Sequence, residues 1–398
     1  MKVLQSQNNN RIAKIWVDDL TTVESQALDQ IRLMLEHPAL YKHIAVMPDT
    51  HLGKGAVVGG VVALDRAIVP NIVGVDIGCG MSAINTGIKR SEWMDKGFWM
   101  NWKSRVDREI PVGFNARKEA LSWNGFDTDL YAKPLNQIKE EKAGVQLGTL
   151  GGGNHFLEAQ VDEDDNIWFM VHSGSRHIGL QISKFYNNIA EQLNKKYFSR
   201  TPQDLWFLPM ADNAFHEYYA DLKWATDYAL ENRWIMLEGL YNAFLDTIRN
   251  DFSVDTLEHK NVREEGINIH HNFAQLENHF GDNVVVHRKG ATQAKEGQVG
   301  IIPGSMGTNS YIVKGKGNED SYMSCSHGAG RTMSRSQAKR EFKSNQLQEA
   351  LLGTYTKPSE KFIDEAPMAY KDIDLVMNNQ KDLVEIVHTL KPIITVKG

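Results

Sequence analysis

The stretch Ala56-Val57-Val58-Gly59-Gly60-Val61-Val62-Ala63-Leu64, with Ile72-Val73-Gly74-Val75-Asp76-Ile77 shortly after it, decides the fold class. Both runs are short, rich in β-branched side chains and apolar at successive positions. Runs of this kind read as strands buried on both faces, which need helices or a second sheet above and below. Outward from them, Ala27, Leu28, Ile31 and Leu35 recur at helical spacing behind a Thr21/Glu24 capping box and predict a helix over 22–36. Helices are also expected over 181–196, from an Asp212 cap towards Asp251, and after a second capping box formed by Ser334 and Gln337. Strands are expected over 167–171, 268–271, 284–288, 299–302, 310–314 and 393–397. No internal repeat and no Pro/Ser-rich linker divides the chain. Interleaved strands and helices without a break predict one large mixed α/β (α+β) domain over 1–398, with helices around central β-sheets.

Composition bounds the function. The 398 residues are 41% hydrophobic and 24% charged, as in a soluble globular protein. A net charge of -6 excludes a basic field over the whole surface, so any nucleic-acid site must be a local patch. No apolar run approaches the ~18 residues of a membrane span, so no membrane association is expected. The polar start, 1–10, lacks the apolar core of a secretory signal. The two cysteines, Cys79 and Cys325, are too few for a disulfide framework. A cytoplasmic monomer with reduced thiols is expected.

The residues able to hold metal stand at the ends of apolar strands. Asp76 and Cys79 lie three apart in Val75-Asp76-Ile77-Gly78-Cys79-Gly80, where glycines let the backbone turn both side chains towards one ion. His155, His172 and His271 each occupy a Gly- or Asn-rich strand end or loop. One carboxylate, one thiolate and three imidazoles suffice for two divalent ions if one ligand bridges. By ligand softness alone, Cys with His suggests zinc. Taken singly, each histidine is as well explained as a packed core residue, and Cys79 as a small buried hydrophobe. Asp49 and His51, in Pro48-Asp49-Thr50-His51, are placed to orient such ligands from behind.

A second constellation is Ser324-Cys325-Ser326-His327-Gly328-Ala329-Gly330-Arg331. Backbone N–H groups in a glycine-rich turn make an anion-binding nest, and a neutral imidazole beside it is a competent nucleophile towards phosphorus. Cys325 is expected to pack beside His327 and not to react. Pro303-Gly304-Ser305-Met306 is a further phosphate- or base-binding loop. Arg176, Arg288, Lys289, Arg331 and Arg335 cluster near these motifs and could grip RNA phosphates; the alternative is solvated surface charge. Gly78-Cys79-Gly80-Met81-Ser82-Ala83 matches a loose dinucleotide fingerprint but has Cys inside the turn and no clear helix after it. There is no Walker-type phosphate loop, and no Asp-Gly pair for a Lys-x-Asp-Gly nucleotidyl-transferase signature.

Together these segments resemble the RtcB family of RNA ligases. The matching stretches are 48–60, 73–81, 148–158, 171–176, 269–272, 287–290, 302–313 and 326–331, in family order. The resemblance implies a large α/β domain with a central active-site cleft. It implies two Mn²⁺ ions in place of zinc, held by Asp76, Cys79, His155, His172 and His271, with Cys79 bridging. It implies that His327 is the nucleophile that takes guanylate from GTP. The guanylate contacts it implies are Asn154, His155, Phe156, Leu157, Glu158, His271, Asn272, Pro303, Gly304, Ser305, Met306, Ser310, Gly328, Ala329 and Gly330, with Lys397 reading the guanine. The reaction it implies joins an RNA 3′-phosphate or 2′,3′-cyclic phosphate to an RNA 5′-hydroxyl, in tRNA splicing or RNA repair. Two alternatives keep part of the pattern. A binuclear metal-dependent cyclic phosphodiesterase without ligation needs the metal ligands but not His327 or Lys397. A non-catalytic RNA-binding paralogue needs neither.

Overall fold

The computed structural model describes residues 1–252 and 259–398. Two large sheets organise it. The first has six strands in the order Lys2–Gln5, Ile12–Ile15, Leu40–His51, Val58–Leu64, Asp282–Lys289, Asn272–His279. Every pairing in it is antiparallel except that of Ile12–Ile15 with Leu40–His51. The second has seven strands in the order Ile267–His270, Gly80–Lys89, Asn166–Ser173, Phe156–Val161, Val384–Lys397, Ser310–Gly315, Val299–Ile302, all antiparallel. The first apolar run is the expected buried strand: Val58–Leu64 sits inside the six-stranded sheet and is covered on both faces.

The second run departs from expectation. Residues 72–77 are not a strand. Pro70–Val73 is a single helical turn with Pro at its first position, and Gly74 closes it at φ +95. Proline pre-sets helical φ at that place, and glycine alone adopts the closing conformation without strain. The apolar side chains are buried as a strand's would be, with a helical turn carrying them. Asp76 consequently lies in a loop.

The other expectations fall mostly into place. The long helix is Asn213–Phe252, with Asp212 Oδ1 accepting from Ala214 N at 2.9 Å. The helix before it starts earlier than expected, at Arg176–Lys196. Ser334 caps Arg335–Glu341 by accepting from Gln337 N. The Thr21/Glu24 box does not form; Asp19 caps a short 3-10 turn, Leu20–Thr22, and the helix Ser25–Leu35 follows without a side-chain cap.

Aromatic side chains pack the helices onto the seven-stranded sheet. Trp99 and Trp102 of the helix Lys96–Glu109 stack on Phe244 and Phe169 respectively, tying that helix to the long helix and to the strand Asn166–Ser173. Fully burying side chains of this size stabilises by about 2–3 kcal/mol each. Among the described residues no helix is long and apolar enough to cross a membrane.

Between the two sheets, the chain passes from Ile267–His270 of one directly into Asn272–His279 of the other, and His271 is the residue at the crossing. The expected strand therefore stops one residue short of this ligand. Cys79 immediately precedes Gly80–Lys89, and His155 immediately precedes Phe156–Val161. His172 lies in Asn166–Ser173, in register with Phe156 and Met81. The candidate ligands thus gather at one end of adjacent strands.

Candidate active site

Asp76, Cys79, His155, His172 and His271 converge. Their ligand atoms form two groups, Asp76–Cys79–His155 and Cys79–His172–His271, each within 4.8 Å, and Cys79 belongs to both. Cys79 Sγ is 3.3 Å from both His155 Nε2 and His172 Nε2. Asp76 Oδ2 is 3.0 Å from His155 Nε2, and the Nε2 atoms of His172 and His271 are 3.3 Å apart.

Divalent cations fit this donor set. Burial, and then the neighbouring His155, holds His172 well below the usual imidazole range; burial, and then His327, does the same to His271. Neither ring is therefore charged, and two neutral rings with nitrogens in contact are best reconciled by a cation that both lone pairs face. Burial and then the Asp76 charge push the Cys79 thiol well up, so a thiolate there requires an adjacent cation. Burial raises the Asp76 carboxyl, but its bond to His155 pulls it below the ordinary value overall. His172 Nδ1 donates to the Asn154 carbonyl at 3.2 Å, which leaves Nε2 free to ligate.

His327 follows the short strand Ser324–Ser326. Its ring centroid is 4.8 Å from that of His271. Asp49 Oδ2 accepts from His327 Nδ1 at 2.6 Å, so Nδ1 carries the proton and Nε2 keeps its lone pair. Gly330 belongs to the same turn. Its φ is +73, and a Cβ there would lie 2.0 Å from the Asp49 carbonyl oxygen, so only glycine lets the two segments meet.

Asp76, Cys79, His172, His271, His327 and Gly330 line one cavity of about 330 Å³. Asn154, Phe156, Glu158, Asn272, Pro303 to Met306, His327 to Arg331 and Lys397 form its wall, with Lys289 and Arg335 beside them. Glu158 is buried and pushed up to about 7 by that burial, against the hydrogen bonds from Thr395 and Gln160. Ser310 stands behind the wall, accepting from Gly304 N at 3.2 Å and Gln160 Nε2 at 3.1 Å.

Besides Ser310, four expected contacts are not on the wall. His155 touches Asp76 and Cys79 from outside the lining. Leu157 alternates to the opposite face of its strand and is fully buried in the core with Trp99 and Phe244. Arg288 has no exposed side-chain surface; it pairs with Glu277 and donates to Ser324 Oγ and the Tyr322 carbonyl. It is a core ion pair in place of the expected phosphate contact. Arg176 is turned to Thr149 Oγ1 and the Gly113 carbonyl and braces the loop before His155.

Several site residues carry no local signal in the sequence. Arg233, on the long helix, is fully buried and donates to the carbonyls of Gly78 (2.7 Å) and Ser173 (3.0 Å), which fixes the strand ends that carry the ligands. Lys371 Nζ donates to the carbonyls of Pro48 and Thr50, on either side of Asp49. Glu365 and Tyr370 complete the wall beside Lys397. Asp49 was legible as a supporting group, but what it supports is His327.

Comparison with known proteins agrees with this geometry. The family described as tRNA-splicing ligase RtcB matches residues 30–398. The chain is 39% identical to the RNA-splicing ligase RtcB of Escherichia coli K12, across 98% of both chains. It is 30% identical to the tRNA-splicing ligase RtcB of Thermococcus kodakarensis, across 94% of this chain and 92% of the relative. It is 31% identical to that of Methanococcus maripaludis, across 96% and 94%. With a match of this length, and with the separated motifs meeting in one cavity, the chain belongs to the RtcB family.

Proposed function

We propose that this protein is an RNA ligase that joins an RNA 3′-phosphate or 2′,3′-cyclic phosphate to an RNA 5′-hydroxyl, using GTP and two Mn²⁺ ions, through guanylate carried on His327. The observation that carries this reading is the placement of the Asp49-bound His327 imidazole against His271, inside the cavity that holds both donor groups. Held by Asp76, Cys79, His155, His172 and His271, the metal pair would neutralise phosphate charge.

The chain's own residues account for the rest. His327 Nε2 attacks the α-phosphorus of GTP; the N–P bond forms and the bond to pyrophosphate breaks. The ring becomes positive, and Asp49 at Nδ1 stabilises it. A 3′-phosphate oxygen then attacks the same phosphorus, the N–P bond breaks, and His327 returns to the neutral ring. Lastly the 5′-hydroxyl attacks the activated 3′-phosphate, loses its proton, and GMP leaves. A cyclic phosphate is first opened by water.

Glu158 and Lys397 face the same cavity. A carboxylate takes the N–H edge of guanine and an ammonium donates to its carbonyl, so the pair suits guanine. Of the expected phosphate contacts on the wall, Arg335 is 42% exposed and suits RNA phosphates. Lys289 instead donates to the carbonyls of Lys54 and Asn71, and burial pushes it down to about 7. Arg331 is bound to Met333, Asp364, Glu365 and Tyr370. The phosphodiesterase alternative would leave the Asp49–His327 pair without a use. Strands from both sheets flank this one cavity, which supports reading 1–398 as one catalytic domain. We also place the protein in the cytoplasm as a monomer.

The test is incubation with α-phosphate-labelled GTP and Mn²⁺, followed by ligation of a 3′-phosphate RNA to a 5′-hydroxyl RNA. Acid-labile, alkali-stable label on the wild type, absent from His327→Ala, is expected. An unlabelled wild type, or equal label on the variant, overturns the reading.

A further inference from the structure

We propose that Glu365 is the positioning residue for the base-reading end of the pocket: its carboxylate fixes where Lys397 points and so sets the preference for guanine over adenine. This rests on the proposed reading of the cavity as a GTP site.

Glu365 Oε2 accepts from Lys397 Nζ at 2.9 Å and Tyr370 OH at 2.6 Å. Its Oε1 accepts from Arg331 Nη1 at 3.3 Å and lies 3.0 Å from Arg335 Nη2. The side chains of Glu365 and Lys397 are each only 4% exposed, yet both border the cavity. A carboxylate has about four lone-pair positions, so four donors saturate it. Glu365 thus has nothing left for a ligand and acts through the groups it holds. An ammonium has three N–H donors, and committing one to Glu365 fixes the directions of the others.

The support beneath Glu365 is packed against the wall loop. It ends a short 3-10 helix, Glu360–Glu365, whose Ile363 packs with Met306, Leu347 and Leu351. Met306 belongs to the wall loop, so this packing ties the loop to the helix that carries the carboxylate. Burial pushes Lys397 down from its ordinary value and Glu365 opposes that, which favours the charged, purely donating form. A group aimed this way donates to the guanine carbonyl oxygen and is mismatched to the adenine amino group, itself a donor.

The experiment compares wild type, Glu365→Gln, Lys397→Ala and the double variant in guanylylation with GTP and with ATP, with bound metal measured alongside. For E365Q, KM for GTP is expected to rise about tenfold or more and GTP-over-ATP selectivity to fall about as far. The rate at saturating GTP is expected to stay within about threefold, with metal content unchanged. The double variant is expected to be no worse than K397A alone, because both remove one function. Wild-type KM and selectivity in E365Q, a loss confined to maximal rate, or additive losses in the double variant overturns the proposal. A wild type that takes no label overturns the ligase reading itself, so the two failures are distinguishable.

Discussion

Asp49 Oδ2 accepts three hydrogen bonds from His327 and Gly328: from the His327 ring Nδ1 at 2.6 Å, the His327 backbone N–H at 3.1 Å and the Gly328 N–H at 3.3 Å. Asp49 is fully buried and reaches this position from the strand Leu40–His51. Ring tautomer and ring orientation are therefore set by one oxygen. Replacing Asp49 with Asn keeps the shape, and the two backbone N–H groups hold its amide oxygen at the Oδ2 position. It removes the negative charge that stabilises the positive ring formed on guanylylation. Guanylylation of Asp49→Asn is expected to fall by about two to four orders of magnitude, with bound metal unchanged. Near-wild-type labelling rates would sink the assigned role.

The metal ligands were legible because Cys and His are scarce chemistry-bearing residues and stand beside glycines at strand ends. Their convergence was not, since it depends on the crossing at His271 between two sheets. The strand Leu40–His51 went unread because Lys42, His43, Pro48 and Asp49 interrupt its apolar pattern, although most of it is buried. The run over 72–77 reads as strand in the sequence because short apolar runs do not reveal their period, whereas Pro70–Val73 is a helical turn. Arg233 and Glu365 find their partners across long sequence separations, 155 residues to Gly78 and 32 to Lys397, and no local pattern reports such contacts.

Cys79 is the one ligand shared by both donor groups. Cys79→Ala should therefore cost more metal than removal of a ligand that serves one group, such as Asp76. Elemental analysis of purified protein is expected to give fewer bound ions for Cys79→Ala than for Asp76→Ala, and no guanylylation by the cysteine variant. Full metal content in Cys79→Ala would show that the thiolate is not shared.

Arg288 and Arg335 separate a core role from a ligand role. Arg288 is wholly enclosed beside Glu277, which it holds down at about 2 against the upward push of burial. Arg335 is 42% exposed at the cavity edge. Arg288→Ala leaves a buried carboxylate unpaired and is expected to destabilise the fold by about 3–5 kcal/mol, read from urea unfolding. Arg335→Ala is expected to leave stability nearly unchanged, weaken RNA binding and reduce its salt dependence by about one phosphate contact. If Arg288→Ala kept wild-type stability and lost RNA affinity, the assignment would be reversed.

His287 gives the fold a pH dependence of predictable sign. The ring is fully buried; Nε2 accepts from Val69 N at 3.0 Å, and Nδ1 faces the carbonyls of Val62 and Val285 at 3.2 and 3.1 Å. Both nitrogens are satisfied only in the neutral ring, because a proton on Nε2 would point at the Val69 N–H. Burial accordingly pushes His287 from 6.5 down to about 4, against the pull of its carbonyl partners. The unfolded chain therefore takes up this proton more readily than the folded one. Stability from this site is whole above pH 6.5 and is lost as pH falls towards 4, by roughly 3 kcal/mol over the window. His37, pushed down to about 3 by burial, adds to the loss in the same direction. His287→Gln removes one titrating group and keeps a donor and an acceptor at the site. Its urea midpoint is expected to be lower than wild type at pH 7 but to fall less steeply between pH 6.5 and 4. Parallel midpoint-against-pH curves for the two proteins would mean that His287 does not titrate with folding.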